Sequence, residues 1–112
     1  MVKGSGIDIV EIRKLEKAVA RWGDVFLNRI YTEGELAYAR SKRHPLQHLA
    51  ARFAAKEAVF KALGTKPDIG FKDIEIIHDK FGRPFCRIRK KRTLISLSLS
   101  HTENYAVACA IL

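Results

Sequence analysis

Residues 51–64 read ARFAAKEAVFKALG, and this stretch limits the possible folds more than any other. Alanine is the strongest helix former, so the segment needs no charge to be helical. On a wheel of about 100° per residue, Ala51, Ala55, Ala58 and Ala62 share one sector. A face this smooth suits close packing on a sheet. Leu49, Phe53, Phe60 and Leu63 make a second apolar sector, so the segment reads as a buried helix. Yet Arg52, Lys56, Glu57 and Lys61 sit among these apolar residues. Glu57 and Lys61 lie four apart on one side, Arg52 and Lys56 four apart on another. The spacing of Glu57 and Lys61 admits two readings. One is a helical ion pair of about 0.2–0.5 kcal/mol. The other is a site that needs a carboxylate beside an ammonium.

The rest of the chain arranges itself around that helix. Val2–Val10 is β-branched but interrupted by Gly4, Ser5 and Gly6, which predicts a strand with a kink or bulge. Glu11–Trp22 reads as a helix, with Ile12, Leu15, Val19 and Trp22 at helical spacing and Gly23 as its stop. Asp24 is placed to cap a short helix through Ile30. Thr32 with Glu35 forms a capping box for the next. Pro45 suits the first turn of the long helix, and Gly64 its end. Beyond Phe71 the period changes. KDIEIIHD and PFCRIR read as a hairpin joined by KFGRP. LISLSLS alternates like a half-buried strand, and YAVACAIL is a last strand after the HTEN turn. Helices followed by antiparallel strands predict an α+β fold, and the length of 112 residues a single domain over 1–112.

Charge narrows the partners. Lys and Arg number 21 and Asp and Glu 12, a formal net charge of +9. Such an excess favours an anionic partner. No apolar run approaches the roughly 20 residues that span a bilayer. MVKGSGIDIV lacks the features of a signal peptide, so a cytoplasmic location and no membrane association are expected. Cys86 and Cys109 stand in no metal-ligand spacing and read as free thiols. A nucleic-acid-binding module is the rival class, carried by RIRKKR at 87–92. Zinc-finger spacing, RRM aromatics and a clear helix-turn-helix are all missing, which counts against it.

A carboxylate next to a lysine suits metal-assisted phosphate chemistry. Mg²⁺ takes one or two protein carboxylates and fills its other positions with water and phosphate oxygens. A second carboxylate is available in Asp8 of GIDIVEI, where strand alternation calls for an apolar residue; capping of the following helix is its other reading. His101 stands at the end of a strand, at a turn, where functional side chains gather.

Taken together, GIDIVEI, ARFAAKEAVFKALG, FGRP and SLSHTENYAVA resemble the holo-acyl-carrier-protein synthases, small bacterial members of the phosphopantetheinyl transferase superfamily. The order and approximate spacing match from Gly4 to Ala108. The resemblance implies transfer of the 4′-phosphopantetheine arm of coenzyme A to a serine of an acyl carrier protein, with Mg²⁺ as cofactor. It implies a homotrimer with active sites between subunits. It also implies roles. Asp8 and Glu57 match the Mg²⁺ carboxylates, and Lys61 the lysine near the reacting phosphates. Glu57 is the expected acceptor of the serine proton. Arg52 and His101 are expected phosphate contacts for coenzyme A. Arg43, with Gly82 and Pro84 of the GRP turn, is expected at the 3′-phosphate and adenine. The basic face of the first helix, Arg13, Lys14, Lys17 and Arg21, is the expected dock for an acidic carrier protein.

Overall fold

The computed structural model describes residues 1–64 and 68–112. Strand β1 is Ser5–Glu11; helices α1 (Ile12–Ile30), α2 (Glu33–Arg40) and α3 (Pro45–Leu63) follow. A short 3-10 turn at Phe71–Asp73 leads into β2 (Ile74–His78), β3 (Pro84–Ile88), β4 (Lys91–Arg92), β5 (Ser96–His101) and β6 (Tyr105–Ile111). The strands make two antiparallel sheets, ordered β1-β6-β5 and β2-β3-β4. The α+β expectation holds.

Helix α3 packs against β1 and β6, and its alanines explain how. Ala51, Ala54, Ala55, Ala58 and Ala62 are all buried. The helix backbone comes so near β1 that a Cβ on Gly4 or Gly6 would collide with the carbonyl oxygens of Ala62 and Ala58. That approach accounts for the glycines expected to mark a bulge. The register from Ser5↔Ile111 to Glu11↔Tyr105 runs one to one, and the strand begins at Ser5 rather than Val2. Strand alternation turns Gly6, Asp8 and Val10 toward α3 and leaves Ile7 and Ile9 exposed on the outer face.

Helix α1 bends at Gly23, whose φ of 56° and ψ of −135° break the helical path. The expected stop is therefore a kink between two helical stretches. Ile12 and Leu15 are buried and Val19 packs against the same core. Trp22 departs from its expected core role. It is exposed, with the Arg21 guanidinium over its ring at 4.8 Å. The Thr32–Glu35 capping box is present in full.

Glu35 does more than cap. It is almost fully buried and accepts hydrogen bonds from Thr32 N and from Ile76 N of β2. The ammonium of Lys56, also fully buried, lies 2.6 Å from its carboxylate and donates to the carbonyls of Ile30 and Phe71. One ion pair thus ties α1, α2, α3 and the β2 hairpin together.

In the second hairpin, Arg89 and Lys90 connect β3 to β4 with φ of 50° and 70°. A two-residue turn of this hand favours asparagine and glycine. A side chain in the left-handed region costs roughly 1–2 kcal/mol, so Lys90→Gly is expected to raise stability by about 1 kcal/mol in urea unfolding. An unchanged midpoint would mean that the turn carries no strain.

Candidate active site

Asp8 arrives on β1 and Glu57 on α3, the two elements drawn together by the glycine–alanine contact. Both line a cleft of about 580 Å³. Lys14, Phe53 and Tyr105 share its wall. Burial pushes the Glu57 carboxyl above its usual range, and the Asp8 carboxylate adds to the shift, while Lys61 opposes it. Like charges on Asp8 and Glu57 repel, and a cation between them would offset that repulsion.

Lys61 resolves one question left open by spacing. Its ammonium pairs with Asp8 Oδ1 at 3.4 Å, not with Glu57, and donates to the Ile7 carbonyl at 2.8 Å. Lys61 is half exposed, and such a pair adds well under about 1 kcal/mol to stability. Its effect is positional, since it holds a cation at the edge of the two-carboxylate site.

Among the described residues no cluster of three or more His, Cys, Asp or Glu side chains is arranged to hold a metal. Two carboxylates nonetheless fit Mg²⁺, whose protein sites use one or two and leave the remaining positions to water and phosphate. The hard oxygen donors and the strain between their charges support that fit.

The remaining predicted residues fall elsewhere. Arg52 is buried on α3 one turn and more before Glu57, and lines a separate cavity of about 290 Å³ with Tyr38, His78 and Arg87. His101 ends β5, exposed, with its ring 6.3 Å from that of His48. Arg43 is exposed in the turn before α3. Gly82 adopts φ of 82° in the β2–β3 turn, and Pro84 opens β3. The turn is braced by Asp79, whose carboxylate accepts from Phe81 N and Arg83 N. Arg13, Lys14, Lys17 and Arg21 are exposed along α1, and Lys14 reaches the cleft.

Sequence reasoning passed over Tyr38, His48 and His78, which gather around Arg52. One signal was available, since His48 and Arg52 stand four apart on α3. The apposition of Tyr38 and His78 depends on the path of α2 and the hairpin, which no spacing reveals.

Comparison with known proteins establishes the family. Residues 4–110 match the model of the 4′-phosphopantetheinyl transferase superfamily. A holo-acyl-carrier-protein synthase of Thermodesulfovibrio yellowstonii is 42% identical over 112 residues, covering 100% of this chain and 99% of that protein. One from Chlamydia trachomatis is 48% identical over 120 residues, covering 96% and 97%. Among solved structures, the Neisseria meningitidis holo-acyl-carrier-protein synthase superposes with a TM-score of 0.89 at 33% identity, covering 99% and 98%. The Bacillus anthracis enzyme, in complex with CoA (3′,5′-ADP), gives 0.86 at 38%, covering 100% and 96%. The chain belongs to the 4′-phosphopantetheinyl transferase superfamily.

Proposed function

We infer that the chain transfers the 4′-phosphopantetheine group of coenzyme A to a serine of apo-acyl carrier protein, giving holo-acyl carrier protein and adenosine 3′,5′-bisphosphate. The observation that carries this is the cleft lined by Asp8 and Glu57, with Lys61 paired to Asp8 at its edge, together with relatives named for the reaction over their whole length. No comparable support stands behind the nucleic-acid alternative. Residues 1–112 would act as one transferase domain.

In this reading the serine oxygen forms a bond to the pantetheine-side phosphorus of the pyrophosphate. The bond from that phosphorus to the bridging oxygen breaks, and the electron pair leaves with adenosine 3′,5′-bisphosphate. The serine proton goes to Glu57, directly or through a water. An ionised carboxylate has the acceptor oxygens that a general base requires. Lys61 offsets the negative charge that grows on the phosphate oxygens. Asp8 and Glu57 would hold Mg²⁺, which when bound neutralises phosphate charge. Arg52 and His101 would take further phosphates. Arg43, Gly82 and Pro84 would meet the 3′-phosphate and adenine.

The test is direct. Incubation with apo-acyl carrier protein, coenzyme A and Mg²⁺ should add the mass of one phosphopantetheine to the carrier. An unmodified carrier under these conditions rejects the reading.

The carrier is read as an acidic protein docking on Arg13, Lys14, Lys17 and Arg21. Lys14 supports this, because it joins the basic face of α1 to the cleft. Complementary charge acts chiefly on encounter rate and is screened by salt. The double substitution Arg13→Glu, Lys14→Glu is expected to raise KM for the carrier at least about tenfold, a loss of roughly 1.4 kcal/mol. Affinity for coenzyme A should hardly change. An unaltered carrier KM would place the dock elsewhere.

A homotrimer is also proposed. Its support is the outer face of the β1-β6-β5 sheet, where Ile7 and Ile9 are 64% and 65% exposed beside Tyr105. An apolar sheet face of this kind is rarely left to water. Light scattering should give three times the chain mass, and a fully active monomer would refute it. No helix among the described residues is long and apolar enough to cross a membrane. Two free thiols accord with the reducing cytoplasm as the site of action.

A further inference from the structure

Around Tyr38 of α2 the fold assembles basic side chains from α3, β2 and the turn between α2 and α3. The Arg52 guanidinium lies over the Tyr38 ring at 4.1 Å and the Lys42 ammonium at 4.8 Å. The His78 ring stacks on Tyr38 with centroids 5.4 Å apart, and the His48 ring meets it edge-on at 5.6 Å. Arg52 is only 1% exposed, and its Nε has no hydrogen-bond partner among the described residues. A buried donor left open costs about 1–3 kcal/mol and calls for an acceptor.

The contact between Arg52 and His78 has a definite sense. Arg52 Nη2 lies 3.1 Å from His78 Nδ1. A guanidinium has only donors, so Nδ1 is the acceptor and the imidazole carries its proton on Nε2. A second proton would have to enter at Nδ1. It would break this hydrogen bond and turn Arg52 Nη2 loose.

We propose that His78 is a proton-linked latch on Arg52: a phosphate bound against Arg52 draws a proton onto His78, which frees Nη2 to donate to the phosphate. This rests on the coenzyme A reading above and deepens it, since it names what regulates a phosphate contact. The electrostatics agree. Burial, then Arg52 and Lys42, hold the His78 imidazolium unfavourable, with Asp79 opposing. His48 is held down in the same way, by burial first and then by Arg52, His101, Lys42 and His78. Glu75 and Arg87 also face the cavity, and the Glu75 carboxylate accepts from the Thr32 hydroxyl. A phosphate dianion offsets the cations and so favours the imidazolium. Binding therefore takes up a proton, and affinity rises as the pH falls through the bound-state pKa of His78.

The test compares wild type with His78→Gln, whose amide oxygen still accepts from Arg52 but does not titrate. Coenzyme A affinity is measured between pH 8 and pH 6. The ligand's own titration is common to both proteins and cancels in their ratio. The ratio should stay near one at pH 8 and grow severalfold in favour of wild type at pH 6, below the limit of about tenfold that a one-unit shift of His78 on binding sets once the pH lies under both its free and bound pKa. In parallel, NMR follows the His78 ring of the wild type during pH titration, free and with coenzyme A or inorganic pyrophosphate. This needs no variant to fold, and a higher titration midpoint with either ligand supports the latch. A His78 midpoint unmoved by both, in a protein that still transfers phosphopantetheine, overturns the latch and leaves the function standing. No coenzyme A binding and no transfer would overturn the functional reading and the latch with it.

Discussion

Asp8→Asn and Glu57→Gln are each expected to lower kcat/KM for phosphopantetheine transfer at least about a thousandfold, some 4 kcal/mol of transition-state stabilisation. Both substitutions keep shape and remove charge. Either removes one of the two carboxylates proposed to hold the cation and so weakens its binding, and the second also removes the proposed base. Stability should move the other way for Glu57→Gln. The Glu57 carboxyl has a raised pKa, so the folded state holds its proton more tightly than the unfolded state does. Ionised Glu57 therefore costs stability once the pH passes the usual carboxylate range. A neutral amide removes that cost, so the melting temperature at pH 7 should stay the same or rise. Loss of activity with a lower melting temperature would point to a structural role instead. Near-wild-type turnover by either variant would remove the two-carboxylate site from the mechanism. Lys61→Ala separates a further role. It should reduce kcat far more than coenzyme A affinity, because its charge matters most as the phosphate bond breaks.

Lys56→Met is expected to destabilise the protein by about 3–5 kcal/mol in urea unfolding. That is a large share of the roughly 5–15 kcal/mol that holds a typical domain folded. The loss comes less from the vanished attraction than from what stays behind. The Glu35 carboxylate remains buried, still held by Thr32 N and Ile76 N but with its counter-charge gone. The Ile30 and Phe71 carbonyls lose their donor as well. Adding Glu35→Gln to Lys56→Met should recover part of the stability, since the orphaned charge is then gone. If the single variant unfolds like wild type, the pair contributes nothing and the core holds by apolar packing alone. Lys56 is next to Glu57 in sequence. A shift of α3 to relieve the defect would thus reach the cleft, and activity should fall even in conditions where the variant stays folded.

Much of this architecture is written in local patterns. The capping box at Thr32 and Glu35, Pro45 at the start of α3 and Gly64 at its end act within one or two turns, so their signals survive without the rest of the chain. The change from helical period to alternation after Phe71 is of the same kind. Asp8 was visible as well, because a carboxylate on the inner face of an apolar strand breaks a period of two. Where the sequence misled, the cause lay in contacts between distant segments. Gly4 and Gly6 looked like a bulge, but their reason is the backbone of Ala58 and Ala62 across the interface. Trp22 looked like core because it falls at helical spacing after Ile12, Leu15 and Val19, but it stands at the bend at Gly23 and is exposed.

The two lysines around Glu57 show most clearly where local reasoning ends. In AAKEAVFK, the spacing that brings Lys61 toward Glu57 is the only pairing a helix wheel displays. Tertiary structure chose differently. Lys61 turned to Asp8 and the Ile7 carbonyl on β1, at the edge of the cleft. Lys56 turned into the core to meet Glu35, 21 positions earlier in the chain. A wheel records the direction of a side chain but not what stands opposite. Whether a lysine becomes a half-exposed charge at the edge of a cleft or a buried anchor depends on the desolvation it suffers there and on the carboxylate that offsets it.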